Sequence, residues 1–451
     1  MLALRKVLED LRKEGIENFF IDEITLVEDF QRFSNVLSDS YAERGRVVIA
    51  GTDSLGIRMA ASDTLYDRAF MIHTTHIPYA EYSRLLKEKS LDEYMEYGGT
   101  LVNTSYKDNQ KREEYLNMAI ADNILHALEA GEDSKRCWHS LASIYNTQEI
   151  KSAINKLINR FSYNLTMRAI RKNYESAPMH ATVNSILEIN YLEMLDIVGV
   201  DESVKNSLGI LNQDEVETEF QEEHLKELNS YLKDLDLFLY VPQYRSLNKG
   251  SRMPDMEIFL QPGMIYAHSS ELVQKLADDK VWMEACGIKE RKAFIDRADG
   301  FVKGEILENI ILSETFLALQ GERGSKEYYV SQLTIRQGEE GYQGRTAEAD
   351  LIVVDLDNKE SYLFEVKHSQ EMVEEQTRHL INGDFITYVG EHFAPVKRRA
   401  VIYSGPSLRG YDVDYINAEE YLKEIDAMRV GKTADLEERL KNVLRKADVE
   451  K

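Results

Sequence analysis

The sequence predicts a multidomain α/β protein, and three observations carry that prediction. The chain has 451 residues, room for roughly two to four domains of ordinary size. Its 43% hydrophobic and 30% charged residues are the composition of a folded chain, not a disordered one. Short apolar runs of strand character alternate with longer segments of helical periodicity, and no internal repeat or low-complexity stretch interrupts them.

The elements follow in order. Leu2 to Glu14 has the spacing of an amphipathic helix, Asn18 to Glu23 (NFFIDE) is an apolar strand ending in an acidic pair, and Phe30 to Ser40 is helical. Arg46 to Ser54 (RVVIAGTDS) is a buried-type strand that ends in small polar residues. Lys111 to Ala130, Ser134 to Tyr145 and Gln148 to Phe161 show helical periodicity. Glu222 to Leu237 is a helix leading into Phe238 to Val241, polar Arg245 to Pro254 and then Glu257 to Leu260, a helix followed by a two-stranded wing. Lys303 to Gln320 is helical, with Glu305 and Glu308 among its apolar positions. Ser369 to Leu380 is polar and of helical character, Arg399 to Tyr403 is a strand, and Ala418 to Lys451 is a charged helical tail.

The segment Gly344 to Ser369 (GRTAEADLIVVDLDNKESYLFEVKHS) carries the most chemistry. Two apolar strand runs flank the turn Asp357-Asn358-Lys359, which predicts a hairpin. Strand side chains alternate faces, so Glu348 and Asp350 share one side and Glu365 and Lys367 share another, each pair roughly 7 Å apart at ~3.3 Å per residue. If the register joins those sides, carboxylates meet one ammonium. Asp350 and Glu365 would then be the hard oxygen ligands that Mg²⁺ or Mn²⁺ prefers, with the Val366 carbonyl as a third, and Lys367 would orient a water or hold a phosphate oxygen. An acid-X-base strand end is also common on solvated sheet faces, where it is purely structural.

These residues resemble the PD-(D/E)XK nuclease motif, with Asp350 as its acid and Glu365 and Lys367 as its Glu-X-Lys pair. The flanking order of helix, strands, helix and strand resembles the αβββαβ core of that restriction-endonuclease-like fold. By the same resemblance Glu308 on the first helix and Gln376 on the second complete the site.

Asp22 and Glu23 at the end of an apolar strand resemble a Walker B pair, in which Asp22 would hold Mg²⁺ and Glu23 would activate water. Thr52, Asp53 or Ser54 would be the sensor near the γ-phosphate. Leu65-Tyr66-Asp67-Arg68 and Ile77-Pro78-Tyr79-Ala80-Glu81-Tyr82 resemble the Leu-x-Gly-Arg and Pro-Leu-Ser-Phe-x-Glu-Tyr stretches of one prokaryotic AAA+ ATPase family. That family continues into a winged helix, ending in Asp-Pro-Gly-Leu where this chain has Gln261-Pro262-Gly263-Met264, and then a nuclease-like domain of unknown function. The resemblance implies a AAA+ core over 1–108, with Asp22, Glu23, Thr52, Asp53 and Arg68 toward nucleotide, and a helical lid region over 109–221. It further implies a winged helix over 222–295, a nuclease-like domain over 296–412 and a helical tail over 413–451.

One part of that family's pattern is missing. A P-loop needs a strand, a Gly-rich loop with GK[ST] and a helix, so that backbone N–H groups and a Lys cradle phosphates. The only GKT is Gly431-Lys432-Thr433; Asp426 stands where the earlier Gly belongs, and the segment before it is helical. The chain therefore resembles a shortened member of the family that lacks its first strand and P-loop. ATP, the cofactor of the intact family, is not expected to bind, and the strand Val47 to Ala50 is expected to offer an open edge. Self-association, or a separate N-terminal fragment carrying the P-loop, would satisfy that edge.

Charge limits the partners. The net charge of −24 repels a polyanion, so any DNA contact must come from local basic groups, for which Lys397-Arg398-Arg399 and Arg245, Lys249 and Arg252 are the candidates. Cys137 and Cys286 lie far apart with no CxxC spacing, the N-terminus has no signal-peptide pattern, and no apolar run approaches a membrane span. A cytoplasmic protein is expected. Two functions remain open: a metal-dependent nuclease attached to an incomplete ATPase module, and a non-catalytic scaffold that binds DNA or protein.

Overall fold

The computed structural model describes residues 2–51, 76–99, 147–174, 222–245, 255–278, 287–320, 328–429 and 435–449, apart from 28–29, 44, 88 and 339–341, with scattered positions among 52–75 and 108–141. The chain is of mixed α/β class and divides into two compact units, the first formed by 1–75, 108–158 and 212–237, the second by 76–107, 159–211 and 238–451.

The first unit begins with α1 (Leu2–Lys13), β1 (Phe19–Ile21), α2 (Phe30–Tyr41) and β2 (Val47–Ile49), where the apolar periodicity puts them. The two strands pair in parallel, Phe19 with Val47 and Ile21 with Ile49. Alternation then sorts the side chains. Phe19 joins Leu8, Ile24, Phe33, Leu37 and Tyr41 in a buried cluster that Ile21, Val47 and Ile49 line, while Phe20 and Val48 are 76% and 41% exposed. The helices Thr147–Tyr174 and Glu222–Asp234 include the predicted 148–161 and most of 222–237. The segments predicted as helices over 111–130 and 134–145 fall mostly outside the described residues.

In the second unit the chain runs through α3 (Tyr79–Leu85) and α4 (Leu91–Tyr97). It continues with β3 (Phe238–Val241), β4 (Gln243–Arg245), β5 (Met256–Phe259), α5 (Pro262–Ala277) and α6 (Ile288–Gln320). Then come β6 (Tyr328–Ile335), β7 (Ala347–Asp355), β8 (Glu360–Lys367), α7 (Gly383–His392) and β9 (Val396–Tyr403). The last elements are β10 (Asp414–Asn417), α8 (Ala418–Arg429) and α9 (Leu436–Val449). β3 and β5 pair antiparallel, Phe238 with Phe259 and Val241 with Met256, as the wing reading expects. The helix before them lies in the first unit and β4 joins β6. Residues 76–107 likewise group with the second unit, not with the segment 1–75.

A six-stranded sheet of order β10-β9-β8-β7-β6-β4 organises this unit. The pairs β6–β7 and β7–β8 are antiparallel, and the other three are parallel. From α6 onward the order is helix, three strands, helix, strand. The helix α6 begins well before the predicted Lys303, because Phe294, Ala298 and Val302 extend the buried stripe of Ile306 and Ile310. Leu333, Ile352, Leu363 and Val401 form a core cluster with Phe385 and Val389 of α7. Burying each such side chain stabilises by about 1.5–3 kcal/mol, which suffices to hold a helix that is marginal alone.

The helix after β8 differs from the prediction. Over Ser369 to Leu380 only a 3-10 turn, Glu374–Thr377, forms. Met372 and Val373 are 52% and 42% exposed, so the segment has no apolar stripe to bury and nothing to hold a helix. The helix starts instead at Gly383, where Asn382 caps it by accepting from the Asp384 and Phe385 amides.

Candidate metal centre at the fork between β7 and β8

The hairpin turn fixes the register of the site. Asp355 Oδ1 accepts the Asp357 and Asn358 amides at 3.1 and 2.8 Å, and its Oδ2 accepts the Asn358 side chain at 2.9 Å. Lys359 takes a positive φ of 55° to close the turn. From there β7 and β8 pair from Asp355–Glu360 to Leu351–Phe364. Past that pair they part: β7 stays with β6 through Ala347–Ile335, and β8 stays with β9 through Lys367–Tyr403.

A β-bulge sits at the same place. The β6–β7 register passes from Ser331–Ile352 to Leu333–Ala349, so Asp350 and Leu351 together oppose Gln332. Ala349 and Ile352 both enter the core cluster with α7, which leaves Asp350 and Leu351 side by side on the other side. A bulge bends a strand and re-aims a side chain in this way.

Asp350 reaches across the fork. Its Oδ2 accepts the Val366 amide at 2.7 Å and the Lys367 ammonium at 3.3 Å. Lys367 Nζ also lies 2.9 Å from Glu365 Oε1 and donates to the Val366 carbonyl at 2.8 Å. Glu365 is buried, and its Oε2 has no hydrogen-bond partner. Burial, and then repulsion from Asp350, pushes Glu365 up to about 7. Burial and the neighbouring Asp350 and Glu305 push Glu308, on α6, well above the ordinary carboxyl range against the pull of Lys367. For Lys367 burial works against the charge, but Asp350 and Glu365 outweigh it and hold the ammonium above its ordinary value. Asp350, Glu365, Lys367 and Glu308 thus come together.

Gln376 is occupied elsewhere. Its side chain accepts the Val373 amide and donates to the Glu371 carbonyl, both at 3.1 Å, as a cap on the 3-10 turn. The predicted second-helix position therefore belongs to a turn. His379 carries no signal in the sequence pattern; burial holds its ring below its ordinary value, and Glu348, Asp350 and Lys367 influence it. Its Nε2 accepts from the Arg378 guanidinium at 3.0 Å.

The donor set fits a hard divalent cation. The partnerless Glu365 Oε2, Asp350 and the Val366 carbonyl are oxygen donors, and the raised carboxyls record an excess of negative charge. Among the described residues no group of three or more His, Cys, Asp and Glu side chains is placed to hold a metal ion. Two carboxylates with the rest of the shell from carbonyl, water and substrate phosphate is the usual manner for Mg²⁺.

The nucleotide candidates lie in the first unit. Asp22 follows β1 and accepts the Glu23 amide at 3.0 Å, and Glu23 has a left-handed φ of 51°. Arg68 pairs with Asp39 at 2.8 Å. Thr52, Asp53, Ser54 and the Gly431-Lys432-Thr433 segment lie outside the described residues, as do Lys249 and Arg252. The candidates of the 397–399 cluster are engaged: Lys397 with Glu360 at 2.9 Å, Arg398 with Asp414 and Glu437, and Arg399 with the Leu380 carbonyl and Asp412. Among the described residues no helix is long and apolar enough to cross a membrane.

No family model, curated protein or solved structure matches the chain.

Proposed function

We propose that the second unit is a metal-dependent nuclease that hydrolyses phosphodiester bonds. The observation that carries this reading is the fork, where a bulge and the end of a ladder bring Asp350 and Glu365 within contact distance of one ammonium, that of Lys367. The helix, three strands, helix, strand order around it supports the restriction-endonuclease-like resemblance. Asp350, Glu365 and the Val366 carbonyl would hold Mg²⁺ or Mn²⁺. Such an ion, when bound, supplies an acidified water and offsets charge on the phosphate. Lys367, held protonated by its two carboxylates, donates hydrogen bonds and serves to hold a phosphate oxygen or orient water; it is not a base. Glu308, whose carboxyl burial pushes well above its ordinary range, would in its protonated form donate to an oxygen of the substrate or of water.

The first unit is read as part of an ATP-binding module, in which Asp22 and Glu23 would take the Walker B place. Self-association through the strand edge along Val47 to Ala50, or pairing with a separate P-loop fragment, follows from that reading. DNA remains the proposed polyanionic substrate. One observation favours the scaffold alternative: Lys367 already pairs with one oxygen of each carboxylate and donates to the Val366 carbonyl, which is how a purely structural ion cluster is built.

Cleavage of supercoiled plasmid and of single-stranded oligonucleotides in Mg²⁺ and in Mn²⁺ separates the two. The nuclease reading expects metal-dependent cleavage that Asp350→Ala and Lys367→Ala each reduce by roughly 100-fold or more. Absence of cleavage with either ion, or cleavage untouched by both substitutions, favours the scaffold.

A further inference from the structure

Immediately after the candidate lysine, His368 leaves β8, its ring bonded to α4 and its Cβ passing alongside α6. Its Nε2 lies 2.9 Å from Asp92 Oδ1 on α4. Its Cβ lies 4.0 Å from where a side chain on Gly304 of α6 would begin. An ionised carboxylate can only accept, so this Nε2 carries the proton, and the hydrogen bond from His368 holds Asp92 below the usual carboxylate range. Gly304 stands one helical turn before Glu308, so the start of the His368 side chain passes the face of α6 on which Glu308 stands one turn further on.

The element that brings Asp92 there is built to stay. Ser90 and Glu93 form a capping box at the start of α4, and Glu419 of α8 accepts the Leu91 amide at 2.9 Å. Lys303 of α6 pairs with Glu96 at 2.7 Å, and Leu91, Tyr94 and Met95 are buried. Asp92 itself is 60% exposed, and an exposed pair of this kind adds little to stability. Its contribution has to be found in what it holds. The backbone it holds is that of Lys367 to Ser369, where the Ser369 amide turns back onto the Lys367 carbonyl at 2.9 Å and the Ser404 amide reaches the Ser369 carbonyl at 3.0 Å.

We infer that Asp92 is a positioning residue for the candidate site: through His368 it fixes the end of β8 and thereby the place of the Lys367 ammonium. It touches neither substrate nor metal. The inference rests on the nuclease reading only for its effect on rate, since the effect on the backbone is independent of any activity. It also makes α4, which belongs to a stretch that connects by chain to the first unit at both of its ends, a structural part of the site.

The test uses the full chain with Asp92→Ala, Asp92→Asn and, as a second disruption, His368→Ala. Hydrogen exchange of the peptide spanning residues 366–370 should be roughly tenfold faster in Asp92→Ala and His368→Ala, and close to wild type in Asp92→Asn, which keeps an acceptor. Melting temperature and Mn²⁺ affinity should stay unchanged, and the kcat of DNA cleavage should fall roughly tenfold in the two Ala variants at unchanged KM. Unchanged exchange in both Ala variants would overturn the inference, whatever the cleavage data say. Equal damage in Asp92→Asn and Asp92→Ala would overturn it too, because the hydrogen bond would not be what matters. If exchange rises as expected while wild type cleaves nothing, the positioning role stands and the nuclease reading alone falls.

Discussion

Glu365 is the residue in which the chemistry of the site is most concentrated. It is buried with one oxygen partnerless, its carboxyl is raised to about 7 by burial and Asp350, and Lys367 alone opposes the shift. A folded pKa above the ordinary 4.5 means that protonated Glu365 stabilises the fold below that value. This stabilisation is lost as pH rises through about 7. If the site holds a divalent cation, as the proposed function requires, that ion takes the proton's place as the compensating charge, so metal and proton compete. We expect Mn²⁺ affinity to rise by up to tenfold per pH unit between about pH 5 and 7 and then to level off. Calorimetry across that range checks this, and a flat profile would show that Glu365 does not hold the ion. The identities of Asp350, Glu365 and Lys367 were legible in the sequence because strand alternation and an apolar run left few other places for three charges. Gln376 was not, because its environment depends on where the following helix begins, and His379 carried no local signal at all.

At the scale of elements, the hairpin was legible and the bulge was not. Asp357-Asn358-Lys359 announces a turn by composition, and Asp355 completes it with its own carboxylate. The extra residue at Asp350–Leu351 is invisible to a period-2 pattern, since Ala349 and Ile352 are both apolar and either phase looks acceptable. The placement of α3 and α4 was equally hidden, because it depends on contacts with α6 that are more than two hundred residues away in sequence. One of them is testable. Glu314 of α6 is buried, accepts the Tyr79 amide at 2.8 Å, and is raised by burial to about 8. The protonated form therefore stabilises the fold fully below pH about 4.5, and the stabilisation is lost as pH rises through 8, at about 1.4 kcal/mol per pH unit within that window. Glu314→Gln keeps an acceptor and removes the titration. Denaturant unfolding at pH 5 and at about pH 8 should show the variant gaining on wild type by a few kcal/mol at the higher pH; a constant difference between the two proteins would contradict the neutral, buried carboxyl.

The whole molecule is acidic, with a net charge of −24, and the basic cluster Lys397-Arg398-Arg399 is consumed by carboxylates and a backbone carbonyl. Long-range attraction to a polyanion is therefore weak, and under the proposed function a nucleic-acid substrate would have to be held at the site itself, through the metal and Lys367. Composition made this charge balance legible, whereas the division into two units was not: the second unit gathers residues 76–107 and 238–451, and no composition shift marks a discontinuous unit. The account stands on the fork being a cation site, and the most direct test is a calorimetric titration of Mn²⁺ into the full chain near pH 7.5, alongside Asp350→Ala. Binding in the millimolar range or tighter, weakened roughly tenfold or more by the substitution, is the predicted result. No binding, or binding that Asp350→Ala leaves intact, would contradict it.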